Sequence, residues 1–209
     1  MPEPSELFQK LLTRFNSLNQ TRGRVEPLVL TGALPVRVSE QLHESLFLSS
    51  FTSFEVFIED LFMTLLISDP RSTKRRRSQP RVSIRSYPIA RELLIGFGPK
   101  RYVDWLPIEN TLERAQTFLR GGRPFSSLSM TQRDLIGRAH AIRNAIAHRS
   151  RFSQEKFEKR VIGNTPLAPR ERHPAAFLRG QFSGAPPTSR YEQITTGLLG
   201  AAKLLVDGA

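Results

Sequence analysis

Arg143, Asn144 and His148 are the residues of this chain whose types and spacing could do chemistry. A histidine moves protons near neutral pH, and an arginine close to it can stabilise negative charge on a phosphorane-like transition state. Together they supply what RNA cleavage without a metal requires. On this reading His148 is general base or acid, Arg143 clamps the phosphate and Asn144 positions a phosphate or its neighbour. Asparagine is a poor helix former, so propensity gives no reason for Asn144 to stand in mid-helix. The plainer account of His148 is a cation at a helix C-terminus, a place that Arg149 and Arg151 also suit.

The element that must position these residues is a helix predicted over 130–149. Ser129 followed by Gln132 forms a capping box that starts it. Leu135, Ala139, Ile142 and Ile146 recur at spacings of four, three and four, which makes one stripe facing a core. His140, Asn144 and His148, each four residues apart, fall on the opposite, polar face. Arg143 and His148 project roughly 140° apart on an ideal helix, so either the long arginine reaches round or a second copy supplies the partner.

A second long helix is predicted over 38–67, stopped by Ser68, Asp69 and Pro70. Phe47, Phe51, Phe54, Ile58, Leu61 and Leu65 make its seam, with Glu55 and Glu59 on the flank. Ahead of it, Ser5 caps a first helix carrying Leu7, Phe8, Leu11, Leu12, Phe15 and Leu18. The stretch 21–35, with Gly23, Pro27, Gly32 and Pro35, reads as a connection. Short helices are predicted over 88–95, 108–119 and 154–161, with Tyr102 and Trp105 anchoring the turn between the first two and Phe157 pointing inward from the third. Residues 164–188 form a Pro/Gly-rich loop in which Phe177, Leu178 and Phe182 can be buried. A capping box of Ser189 and Glu192 opens a closing helix over 189–206, with Ile194, Leu198, Leu199, Ala202 and Leu205 on its stripe. No stretch alternates as a strand would, so the expected class is all-α, in a single domain of 1–209.

The run from Arg143 to Arg149, Arg-Asn-Ala-Ile-Ala-His-Arg, resembles the R-x4-6-H signature of the HEPN superfamily, and more narrowly its RiboL-PSP-HEPN and toxin-like branches. The segment Ser53-Phe54-Glu55-Val56-Phe57-Ile58-Glu59-Asp60-Leu61 resembles the acidic-then-aromatic stretch those families carry on an earlier long helix. The likeness covers about residues 36–160. It implies an HEPN-like helical bundle with two long antiparallel helices. It also implies a metal-independent endoribonuclease in which the 2′-hydroxyl attacks the adjacent phosphate and leaves a 2′,3′-cyclic phosphate. Glu55 matches the family's acidic position and would orient Arg143 or His148. The resemblance further implies a homodimer whose cleft is lined by Arg143, Asn144 and His148 of both chains, in toxin–antitoxin or antiphage defence, with an antitoxin or defence partner. Two facing Arg143 side chains would need Glu55, a phosphate or a sulfate between them.

Lys and Arg number 31 against 19 Asp and Glu, a net charge of +12 that favours a polyanion such as RNA. An anionic membrane surface or an acidic protein would satisfy the same charge. Residues 71–85 form a basic loop holding Arg71, Lys74, Arg75, Arg76, Arg77, Arg81 and Arg85 and no acidic residue. It is either a solubilising surface loop or an RNA contact. Lys74, Arg75, Arg76, Arg77, Arg149 and His140 are the candidate RNA-binding residues. Cysteine is absent and the four histidines lack ligand spacing, so no metal site and no cofactor are expected. His43 and His173 have no partner pattern. No nucleophile elbow points to a serine hydrolase. The N-terminal residues are acidic and polar, and acidic residues interrupt the longest apolar stretch, so a cytoplasmic protein with no membrane span is expected. The rival to an enzyme is a non-catalytic helical module that binds RNA or a protein partner with the same basic face.

Overall fold

Apolar side chains recur at helical spacing along this chain, and its computed structural model is correspondingly all-α, describing residues 2–67, 78–82, 84–96, 102–182 and 188–209. The helices are α1 (Pro4–Leu30), α2 (Val36–Leu66), α3 (Tyr87–Ile95), α4 (Ile108–Phe118), α5 (Met130–His148), α6 (Arg151–Phe157), α7 (Pro174–Arg179) and α8 (Arg190–Asp207). The one ladder among the described residues pairs β1 (Gln181–Phe182) antiparallel with β2 (Thr188–Ser189).

The chain divides into two compact units. The first comprises Met1–Leu11, Phe54–Arg133 and Gly200–Ala209, and the second Leu12–Ser53 and Asp134–Leu199. In the first unit the C-terminal half of α2 is buried almost all round, with Phe54, Ile58, Leu61, Phe62 and Leu66 fully enclosed. Phe62 lies 5.0 Å from the Trp105 ring and 5.5 Å from Phe125, which gathers the loop before α4 and the turn before α5 onto α2. Tyr102 does not share the anchoring role expected of it: it is 62% exposed, and Trp105 alone fills the core.

In the second unit α2 and α5 run antiparallel. Glu44, early in α2, pairs with Arg149 just past the end of α5, while Phe51, two turns on, stacks on His140, two turns back. Phe47 and Tyr191 extend the aromatic layer to α8, where the Tyr191 hydroxyl lies 2.9 Å from Ser50 Oγ. Both capping boxes form. Ser129 N donates to Gln132 Oε1 and Gln132 N donates to Ser129 Oγ; Ser189 and Glu192 make the same exchange ahead of α8.

Two predicted connections contain regular secondary structure. The stretch 21–35 is mostly helix, because α1 continues through Gly23 and Pro27 to Leu30. An interior proline forfeits a helical hydrogen bond and costs about 3 kcal/mol. Arg22 offsets this by pairing with Glu192, and Glu26 by accepting from Arg179 at 3.1 and 3.2 Å and from Ser39 at 3.0 Å. The chain then reverses at Gly32, whose φ of 75° suits glycine. The Pro/Gly-rich loop of 164–188 likewise contains a 3-10 turn (Pro169–Arg172), α7 and the two short strands. Burial of Phe177 and Leu178, with the Arg190 guanidinium 4.8 Å from the Phe177 ring, fixes α7. The predicted helix over 154–161 starts earlier, at Arg151, because Ser150 caps it, and continues as a π-helical turn over Glu158–Ile162. Of the basic loop over 71–85, Arg71, Lys74, Arg75, Arg76 and Arg77 lie outside the described residues.

Candidate functional site

The capping box fixes the register of α5, and its buried face then decides which side chains remain outside. Ile136, Ala139, Ile142 and Ala145 are fully buried and Ile146 nearly so. Leu135, expected on the stripe, is only half-buried, and Ile136 takes the deeper position. His140, Arg143 and Asn144 are left half-buried on the flank, and His148 is exposed at the helix end.

These four side chains form one line of polar contacts. Asn144 Nδ2 donates to His140 Nε2 at 3.1 Å, and Asn144 Oδ1 accepts from Arg143 Nη1 at 2.9 Å. Arg143 Nη1 in turn lies 3.4 Å from His148 Nε2. Guanidinium nitrogens only donate, so this last contact is a hydrogen bond when His148 Nε2 carries its lone pair and the proton sits on Nδ1. The same reasoning gives His140 its proton on Nδ1. The arginine therefore reaches round the helix, spanning the roughly 140° by which the two positions diverge. A second chain is not needed to bring Arg143 and His148 together.

Phe51 supports the line from α2, its ring stacked on that of His140 with centroids 6.0 Å apart and planes 18° apart. Phe51 belongs to the apolar seam of α2, and nothing in α2 alone indicates that this seam meets a histidine. Glu55 follows one turn later on α2, half-buried and in the other compact unit. Arg149 adopts a φ of 49° and pairs with Glu44 at 3.3 Å, its side chain 75% exposed. The candidate RNA contacts Lys74, Arg75, Arg76 and Arg77 fall outside the described residues. Among the described residues no group of three or more His, Cys, Asp or Glu side chains could hold a metal ion, and no helix is long and apolar enough to cross a membrane.

The second unit holds another titratable cluster, around the completely buried His43. Its Nδ1 lies 2.8 Å from the Ser39 carbonyl, and its Nε2 lies 3.6 Å from Glu26 Oε1. Burial lowers the pKa of His43; the Ser39 carbonyl and Glu26 oppose the shift, and Arg22 and Arg179 add to it. Burial on its own would raise Glu26, but hydrogen bonds from Arg179 and Ser39 carry it below the ordinary carboxylate value. The signal for a buried His43 was legible in the sequence, since His43, Phe47 and Phe51 share one helical stripe.

No protein-family model, characterised protein or solved structure matches this chain.

Proposed function

We propose that the protein is a metal-independent endoribonuclease of the HEPN kind. The observation that carries this reading is the 3.4 Å approach of the Arg143 guanidinium to the exposed imidazole of His148. A phosphodiester at this point would meet a proton acceptor and a bidentate cation together. His148 Nε2 takes the proton of the 2′-hydroxyl as its oxygen attacks phosphorus. Arg143 holds the non-bridging oxygens as negative charge gathers on them. The bond from phosphorus to the 5′-oxygen breaks, and that oxygen takes a proton from the imidazolium or from water. The products are a 2′,3′-cyclic phosphate and a 5′-hydroxyl. Asn144 keeps the guanidinium turned toward His148, and His140 steadies Asn144.

The antiparallel pairing of α2 with α5 in the second unit supports the HEPN-like arrangement that the sequence resemblance implies. The net charge of +12 supports RNA as the polyanionic partner. The two-fold dimer, the antitoxin or defence partner and the role of Glu55 belong to this reading through the resemblance. A dimer cleft would hold two complete Arg143–His148 pairs, the first of the two alternatives that the helical spacing leaves open.

The deciding experiment incubates single-stranded RNA with the protein in EDTA and assays for 2′,3′-cyclic phosphate ends. Cleavage by the wild type and its loss in His148→Ala, with RNA binding retained, is the expected result. A wild type that binds RNA without cutting it is instead a non-catalytic binding module.

A further inference from the structure

Just beyond His148 the chain presents an aromatic ring to solvent. Arg149, in left-handed backbone with φ 49°, turns the chain at the end of α5. Ser150 then caps α6, accepting from Ser153 N at 3.2 Å. Gln154 Nε2 donates to the Ala145 carbonyl at 3.2 Å, which ties α6 to the last turn of α5, and Phe157 buries the inner side of α6 completely. The outer side, held in place by these contacts, carries Phe152.

Phe152 is 65% exposed, whereas Phe157, one and a half turns on, is completely buried. One cation stands over it: Lys156 Nζ lies 4.4 Å from the Phe152 ring centroid, and Arg149, three residues before Phe152 in the chain, pairs with Glu44 at 3.3 Å with its side chain 75% exposed. A planar apolar ring beside a cation matches the chemistry of single-stranded nucleic acid, in which every base has a face to stack and every phosphate a charge to neutralise.

We propose that Phe152 is the platform on which one base of single-stranded RNA stacks, with Lys156 and Arg149 contacting the flanking phosphates. This assignment rests on the ribonuclease reading of His148. Four residues of chain span at most about 14 Å, so the stacked base belongs to the same short stretch of strand as a phosphate held at His148. A base on Phe152 must be unpaired, which makes single-stranded regions the preferred substrate and leaves base identity weakly read.

The test measures binding of a fluorescein-labelled single-stranded RNA of mixed sequence to the full chain by anisotropy, beside inorganic polyphosphate, which has the charges and no bases. Phe152→Ala, with an unchanged melting temperature, is expected to bind RNA roughly tenfold more weakly, the loss of one stacked base. Polyphosphate should bind both proteins equally. Phe152→Trp should restore RNA affinity, with its fluorescence quenched by the RNA. If Phe152→Ala binds RNA as tightly as a wild type that cleaves it, the platform is overturned and the ribonuclease reading stands. Equal losses toward RNA and polyphosphate would overturn stacking as the cause. A wild type that neither binds nor cleaves RNA removes the ribonuclease reading and the platform with it.

Discussion

Leu135 on α5 and Gly197 on α8 approach so closely that a β-carbon on the glycine would lie 2.4 Å from the leucine Cδ2. Gly197 is thus a spacer between two helices of the second unit, whereas Gly200, three residues on, has nothing within 4 Å of its would-be β-carbon. Gly197→Ala should lower stability by about 1 kcal/mol or more, because displacing Leu135 outweighs the gain in helix propensity. Gly200→Ala should raise it by up to about 1 kcal/mol. Urea melts of the two variants check the opposite signs, and Leu135→Ala in the Gly197→Ala background should show the relief of the clash as non-additivity.

Arg143 and His148 lie off the buried stripe of α5, so their roles can be separated from folding. Arg143→Ala and His148→Ala should each abolish RNA cleavage while changing unfolding free energy by no more than about 0.5 kcal/mol. Cleavage by the wild type should be the same with EDTA as with magnesium. Activity that disappears with chelator and returns with magnesium would rule out the proposed chemistry.

Because one chain brings its own arginine to its own histidine, each site should be autonomous. Mixing Arg143→Ala chains with His148→Ala chains should restore no cleavage, even where heterodimers are demonstrated. Heterodimers of wild type with the double variant should keep about half the activity of the wild-type dimer, since one intact pair of two remains. Recovery in the first mixture would mean that the Arg143–His148 contact is replaced by a contact across chains in the active state.

His43 should make stability fall as the solution is acidified. Its pKa is lowered from 6.5 in the folded chain, so below that value the unfolded chain binds the proton first and folding loses free energy. The stability that neutral His43 preserves is therefore full above pH 6.5 and is lost as pH falls through the lower folded pKa. Glu26, lowered from 4.5, acts in the same direction in a more acidic window. Asp60, raised from 3.8 by burial, acts in the opposite sense in the carboxylate range. Melting temperatures between pH 8 and pH 5 should decline for the wild type and decline much less for His43→Gln, which cannot titrate.

What the sequence determined by itself is local. The capping boxes at Ser129 and Ser189 join residues three apart, and the stripes of α2, α5 and α8 repeat every three or four, so both can be read from spacing alone. The Arg143–Asn144–His148 constellation was legible for the same reason, as polar side chains within one helical turn and a half. The tertiary structure decided what depends on distant partners. Helix α1 passes through Pro27 because Arg22 meets Glu192 and Glu26 meets Arg179, pairs separated by 170 and 153 residues. His140 is held against Phe51 because α2 and α5 run antiparallel, which no property of either helix alone dictates. Whether Arg143 reaches His148 turned on side-chain torsions: backbone geometry sets the two positions about 140° apart, and a long guanidinium closes that gap with the help of Asn144.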